Sequence, residues 1–129
     1  ISDEIAVFAE PLAAADGISE LAEIAKNSSV AVIGDGKLGL LCAMTANLRS
    51  NNVTLIGKHP EKMAIAENTR VSTIHLNDVN DHMHKMFDIV IESSGSESGF
   101  NAAIDLVKPR GMIVLKSTFH GQTKSSPCS

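Results

Sequence analysis

The sequence is poor in cysteine and in aromatic residues. It has two cysteines, four phenylalanines and neither tryptophan nor tyrosine among 129 residues. Cys42 lies in an apolar run and Cys128 in a polar tail, so a disulfide framework is not expected. This favours a reducing compartment, the cytoplasm first and an organelle second. The scarcity of aromatic rings also argues against proteins that stack single-stranded bases.

An excess of positive charge and a long apolar run are missing as well. The formal net charge is -4 at pH 7, whereas nucleic-acid binders usually carry a basic patch. No apolar run approaches the roughly 20 residues that span a bilayer. The first ten residues hold acids where a signal peptide has positive charges. We therefore expect neither nucleic acid nor a membrane as a partner. Because the sequence starts at Ile1 rather than Met, we expect a fragment, a processed product or an excised domain.

Short β-branched runs alternate with helical segments along the chain. The length suits one domain with one core, and the alternation predicts an α/β fold with a doubly wound parallel sheet of five to six strands and helices on both faces. Strands are predicted at residues 30–33, 53–56, 71–76, 88–91 and 112–115, and helices at 37–49, 60–68 and 98–107. We divide the single domain 1–129 into a helical lead-in (1–29), a core (30–121) and a frayed tail (122–129).

Three glycines carry the strongest motif. Gly34, Gly36 and Gly39 match G-x-G-x-x-G between the first core strand and the following helix, as in Rossmann-type dinucleotide sites. Gly34 would allow a tight turn, Gly36 a close approach of the pyrophosphate, and Gly39 close packing of helix on sheet. Free N–H groups at the helix start would hold the phosphates. The intervening residues belong to the predicted site: Asp35, Lys37 and Leu38. A ligand-free glycine turn and a methyltransferase-type nucleoside site are the alternatives.

The end of the second core strand lacks an acid. NAD-binding domains carry Asp or Glu about 20 residues after the glycines, where it binds the ribose 2′-hydroxyl. Here the strand ends at Gly57, followed by Lys58 and His59. We expect Gly57 to leave room for a 2′-phosphate, and the next two residues to supply positive charge or donors. This predicts NADP ahead of NAD, with a solvated turn as the alternative.

Five segments in order resemble the cofactor-binding domain of the medium-chain, zinc-type alcohol dehydrogenase superfamily. They cover nearly the whole chain: AVFAEPLAAA, VAVIGDGKLGLL, VTLIGKHPEKMAIA, FDIVIESSGSESGF and LVKPRGMIVLKSTFHG. The resemblance implies that Lys62 reaches the adenosine ribose. It implies that Ser93, Ser94 and Gly95 border the cofactor at the carboxyl edge of the sheet, and that Lys116 lies towards the nicotinamide.

The resemblance also bears on zinc. Glu10 matches an acid at or near the catalytic zinc of related enzymes, but for this chain an acid at a helix N-terminus is the favoured interpretation. The family's catalytic domain, with its cysteine and histidine zinc ligands and substrate pocket, has no counterpart in the sequence. Zinc is therefore expected only in a full-length parent. The tail does not resemble the family's sixth strand, so the sheet can stop at five strands, and a homo-oligomer formed through a sheet edge is left open.

The function that the resemblance implies is cofactor binding for hydride transfer to or from an alcohol or aldehyde. The chain would be the NAD(P)-binding domain of an alcohol dehydrogenase-like oxidoreductase, and inactive in isolation. A stand-alone regulatory module that binds a dinucleotide without catalysis is the second hypothesis.

Overall fold

The computed structural model describes residues 5–9, 24–79 and 83–116. These ranges contain six strands: β1 (Ala6–Ala9), β2 (Ser29–Ile33), β3 (Asn52–Gly57), β4 (Ser72–His75), β5 (Phe87–Glu92) and β6 (Val107–Leu115). They also contain three α-helices: α1 (Lys37–Asn47), α2 (Pro60–Glu67) and α3 (Glu97–Leu106). A short 3₁₀ helix, Leu76–Asp78, follows β4.

The strands form one parallel sheet in the order β1-β6-β5-β2-β3-β4. From the middle strand β2 the chain runs outwards through β3 and β4. It then returns to β5 on the other side of β2 and continues to β6. The predicted doubly wound parallel sheet is therefore confirmed. Its strand order reverses at β2 and β5, and ligands of such sheets bind beyond the carboxyl ends of the strands at this point.

The central strand β2 is buried on both faces. Val30 and Val32 belong to a core cluster with residues of α1 and α2. Ala31 and Ile33 point into a second cluster with residues of α3. All four side chains are at most 2% exposed. The uninterrupted apolar run is thus explained by helices on both sides of the sheet.

The sixth strand lies where the sequence analysis predicted a helical lead-in. Ala6–Ala9 is strand β1, and it pairs in parallel with Met112–Leu115 of β6. The helical assignment of 1–29 is wrong for these residues, because pairing with β6 outweighs the helix preference of alanine. The described sheet has six strands, within the predicted five to six. Residues 1–4 and 10–23 of the predicted lead-in lie outside the described residues, and the tail 122–129 lies wholly outside them.

Strand β6 is longer than predicted. It begins at Val107, directly after α3, although Pro109 and Gly111 indicate a turn. The pairing with β5 jumps from Phe87↔Val107 to Ile89↔Met112. This irregularity accommodates the proline, and it places Arg110 in the left-handed region with φ of 70°. The sheet therefore absorbs as a bulge what the sequence pattern suggested as a break.

Candidate functional site

A cleft of about 360 Å³ opens at the carboxyl edge of the sheet, around the ends of β2, β3 and β5. Nine residues of the predicted site line it: Gly34, Asp35, Gly36, Gly57, Lys58, His59, Lys62, Ser93 and Ser94. Six further lining residues were not predicted: Ile33, Ile56, Leu76, Ser96, Ser98 and Gly99. The switch point of strand order and the glycine loop therefore coincide.

Each glycine of the motif meets a different steric requirement. Gly34 has φ of 114°, a conformation that glycine adopts most readily. A Cβ on Gly39 would lie well inside contact distance of the Gly34 carbonyl oxygen, so only glycine lets α1 pack this close to the loop. A Cβ on Gly36 would meet nothing within 4 Å. The space beside Gly36 is therefore open, as the approach of a ligand to the backbone requires.

The N-terminus of α1 has no cap of its own. Gly36 occupies the N-cap position without a side-chain hydrogen bond, and the first turn holds no acidic residue. The first N–H groups of a helix need an external acceptor, and they sit at the positive end of the helix dipole. The start of α1 is therefore suited to an anion such as a pyrophosphate.

Asp35 joins the glycine loop to the turn between β3 and α2. Its carboxylate accepts hydrogen bonds from the backbone N–H groups of Lys58 (2.9 Å) and His59 (2.6 Å). The His59 ring nitrogen Nδ1 lies 3.1 Å from Asp35 Oδ1. Burial alone would raise the pKa of Asp35, but the hydrogen bonds from His59 and Lys58 outweigh it and leave the pKa below its ordinary value. Asp35 is therefore a carboxylate at neutral pH.

The position of Asp35 corrects one expectation about Gly57. The sequence suggested that Gly57 leaves room for a phosphate group. A Cβ built on Gly57 would instead lie 2.5 Å from Asp35 Oδ2 and 2.6 Å from its Cγ. The missing side chain at the end of β3 thus makes room for a carboxylate from the glycine loop.

On the opposite wall, Glu92 organises the loop after β5. Its side chain is 2% exposed, and it accepts hydrogen bonds from the N–H groups of Ser94 (3.0 Å) and Gly95 (3.2 Å) and from the Ser94 hydroxyl. Ser96 caps α3 by accepting from the Gly99 N–H. Glu92 was missed by the sequence analysis. An acid that ends a buried strand just before a serine–glycine turn is the signal that could have found it.

Five residues of the predicted site do not line the cleft: Lys37, Leu38, Gly39, Gly95 and Lys116. Lys37 is exposed beside the loop, and Leu38 packs against the core cluster of α1. Lys116 is 8% exposed, and its N–H donates to the Glu92 carbonyl oxygen.

Comparison with known proteins agrees with this architecture. No family model matches the chain. The chain is 30% identical over 122 residues to D-xylulose reductase A of Aspergillus oryzae, over 84% of this chain and 34% of that protein. It is 33% identical over 113 residues to the NADP-dependent isopropanol dehydrogenase of Clostridium beijerinckii, over 80% of this chain and 32% of that protein.

A zinc-binding dehydrogenase from Sinorhizobium meliloti, solved bound to NADP, has the same fold. The TM-score is 0.72 at 26% identity, over 84% of this chain and 35% of that one. The chain is similar in sequence and fold to one part of the medium-chain, zinc-type alcohol dehydrogenases. It spans about a third of the length of the curated relatives that it matches. The relatives are dehydrogenases and reductases, and the matched part has the fold of a cofactor-binding domain.

Zinc-type relatives raise the question of metal ligands in this chain. Within residues 5–9, 24–79 and 83–116, no three His, Cys, Asp or Glu side chains come together to hold a metal ion. Glu10 lies outside the described residues, so its place near a zinc in a full-length enzyme stays a prediction. None of the helices in the described ranges has the length and apolarity needed to cross a lipid bilayer.

Proposed function

We propose that this chain is the nicotinamide-dinucleotide-binding domain of an alcohol dehydrogenase-like oxidoreductase. The observation that carries the proposal is the uncapped start of α1, which opens on the cleft beside Gly36. An extended ligand with a central pyrophosphate satisfies this helix end, while its two nucleoside halves follow the edge of the sheet on either side.

The cleft offers a different environment to each half of the ligand. The turn after β3, with Lys58 and His59, would receive the adenosine ribose together with Lys62 of α2. Ser93 and Ser94, after β5, would border the ligand on the side towards the nicotinamide. A nicotinamide dinucleotide held in this cleft would supply the hydride donor or acceptor for the carbon of an aldehyde or alcohol. The residues of this chain bind and orient the cofactor, and hydride transfer in a zinc-type enzyme requires metal and substrate groups from elsewhere.

NADP is the preferred cofactor in this proposal. Lys58, His59 and Lys62 line the cleft and are exposed, so their positive charge or donor groups can meet a 2′-phosphate. The isopropanol dehydrogenase relative is NADP-dependent, and the Sinorhizobium neighbour was solved with NADP. Both findings support NADP for this chain.

We propose further that the chain alone does not turn over alcohols, because it spans only about a third of the length of the dehydrogenases and reductases that it matches. Zinc and the substrate pocket would then belong to a larger enzyme. A stand-alone regulatory module would bind the same dinucleotide. The two hypotheses are distinguished by whether a domain with cysteine and histidine metal ligands is encoded in the same protein.

Calorimetric titration of the chain with NADP, NAD and S-adenosylmethionine tests the proposal. We expect both dinucleotides to bind and S-adenosylmethionine not to bind. Lys58→Ala should weaken NADP by roughly tenfold and leave NAD unchanged, since one charge-assisted contact to the phosphate is lost. Lys26→Ala, a matched loss of an exposed lysine away from the cleft, should change neither.

The outcomes separate the two parts of the proposal. Binding of S-adenosylmethionine alone would replace the dinucleotide proposal with the methyltransferase-type alternative. Equal weakening of NAD and NADP by Lys58→Ala would leave dinucleotide binding in place, but it would remove the role of Lys58 in cofactor choice.

A further inference from the structure

The sequence has no acid at the end of β3, but in the folded chain a carboxylate from another segment lies there. Gly57 is the last residue of β3, and Asp35 lies 23 positions before Lys58. Nevertheless, the Asp35 carboxylate occupies the volume that a side chain on Gly57 would enter, within 2.6 Å of the Cβ position. An acid is therefore present where NAD-binding domains use one to meet the ribose 2′-hydroxyl.

The hydrogen bonds of Asp35 leave it able to accept one more. Oδ2 accepts both backbone N–H groups, from Lys58 and His59. Oδ1 has only the His59 ring as a hydrogen-bond partner among the described residues. A carboxylate offers about four acceptor positions. Since Asp35 lines the cleft, a ribose hydroxyl can serve as the additional donor.

The same contacts oppose a phosphate. The two backbone N–H groups of the turn, which would be natural donors to a 2′-phosphate, already donate to Asp35. The Asp35 side chain is 8% exposed, so water screens its negative charge poorly. The charged and titratable side chains that line the cleft with it are Lys58, His59 and Lys62. These groups favour a phosphate, and Asp35 disfavours it.

We propose that Asp35 is a specificity-determining residue of the dinucleotide site. Its carboxylate stands in for the missing acid at the end of β3, accepts a hydrogen bond from the adenosine ribose, and limits the preference for NADP that the neighbouring cations create. This inference rests on the proposed function, because it concerns the same cleft and the same ligand. It identifies Asp35, rather than Gly57, as the position that controls cofactor choice.

Asp35→Asn tests the proposal, because it removes the charge and keeps the size of the side chain. We expect the ratio of NADP to NAD affinity, measured by calorimetry, to rise on the order of tenfold, through tighter NADP and slightly weaker NAD. Asp88→Asn is the matched control. Asp88 is also a carboxylate that accepts a backbone N–H and contacts a lysine, but it lies near the start of β5, away from the cleft. The ratio of NADP to NAD affinity of Asp88→Asn should equal that of the wild type.

The results distinguish this inference from the proposed function. If the wild-type chain binds neither dinucleotide, the proposed function is wrong and this inference with it. If the wild type binds and Asp35→Asn leaves the ratio unchanged, Asp35 only positions the turn, and the inference alone is overturned. Circular dichroism checks the fold. Should the Asn variant not fold, Asp35→Ser, which keeps a small acceptor for the turn, gives the same comparison.

Discussion

Two helices of the described ranges, α1 and α3, begin in different ways. α1 starts at Gly36 with no side-chain cap and no acid in its first turn. α3 starts at Ser96, whose hydroxyl accepts from the Gly99 N–H, and Glu97 follows in the first turn. Both helices follow a buried strand of the same sheet and border the same cleft. The difference teaches that α3 satisfies its own N-terminus, whereas the N–H groups at the start of α1 stay available for the dinucleotide that we propose.

We expect the largest effect from a substitution that gives α1 a side-chain cap, as α3 has, and so removes the difference between the two helix starts. Gly36 has φ of -78° and ψ of -171°, which suits an aspartate at the N-cap. Gly36→Asp should raise the free energy of unfolding by a few tenths of a kcal/mol. It should also weaken dinucleotide binding on the order of a hundredfold, because a carboxylate would take the donors and repel the pyrophosphate.

Thermal denaturation and calorimetric titration of the same sample measure both effects. Gly36→Asn is the control, since it caps the helix without a charge and should weaken binding less. If Gly36→Asp binds the dinucleotides as tightly as the wild type, the start of α1 does not hold the pyrophosphate.

The converse change removes the cap from α3. Ser96→Ala should lower the free energy of unfolding by about 1 kcal/mol, because the Gly99 N–H loses its acceptor. Dinucleotide affinity should change by less than about threefold, since we propose that the phosphates bind at the start of α1 and not of α3. Urea denaturation gives the stability, with Ser98→Ala as the control for a serine of the same cleft that does not cap the helix. If Ser96→Ala lost much of its dinucleotide affinity while its free energy of unfolding stayed unchanged, the start of α3 rather than that of α1 would bind the ligand.

The smallest effect concerns an acid at the opposite, amino edge of the sheet. Asp88 accepts from the Ser29 N–H at 2.9 Å and from the Lys108 ammonium at 3.0 Å. Burial raises its pKa, but the Ser29 and Lys108 hydrogen bonds and the Lys108 charge lower it more, and the net pKa lies below the ordinary value of 3.8. Because the folded-state pKa is lowered, the stabilising contribution is present above pH 3.8 and is lost as the pH falls through the folded-state value.

Asp88→Asn should therefore lower the melting temperature at neutral pH. The side chain is 41% exposed, so we expect an effect of only about 0.5 kcal/mol. The difference from wild type should shrink as the pH is lowered below 3.8. Melting curves from neutral to acidic pH measure it. A constant difference over this range would show that the charge of Asp88 contributes nothing to stability.

Much of this fold could be predicted because its signals are local. The apolar composition of the run from Val30 to Ile33 is enough to predict that it is buried. The spacing of Gly34, Gly36 and Gly39 indicates a tight turn, space for a ligand beside the backbone, and a helix packed close to the loop. These features depend on neighbours within a few positions of the chain.

The features that were missed depend on distant partners. β1 is a strand because β6 lies beside it, and its alanines give no sign of that. The meaning of Gly57 could not be derived either. A glycine that ends a strand indicates empty space, and only the folded chain brings Asp35 into that space.

The pairing of β1 with β6 has a consequence for how the chain folds during synthesis. Ala6 pairs with Met112, so the first strand of the described ranges has its partner in the last one. At about 5–20 residues per second, a ribosome would take several seconds to make the chain between them. Once residue 75 has been made, β2, β3 and β4 can already associate, whereas β1 still has no neighbour to pair with. Contacts this far apart in sequence form slowly, and we therefore expect β1 to join the sheet last, completing a domain whose cleft at the carboxyl edge has by then already formed.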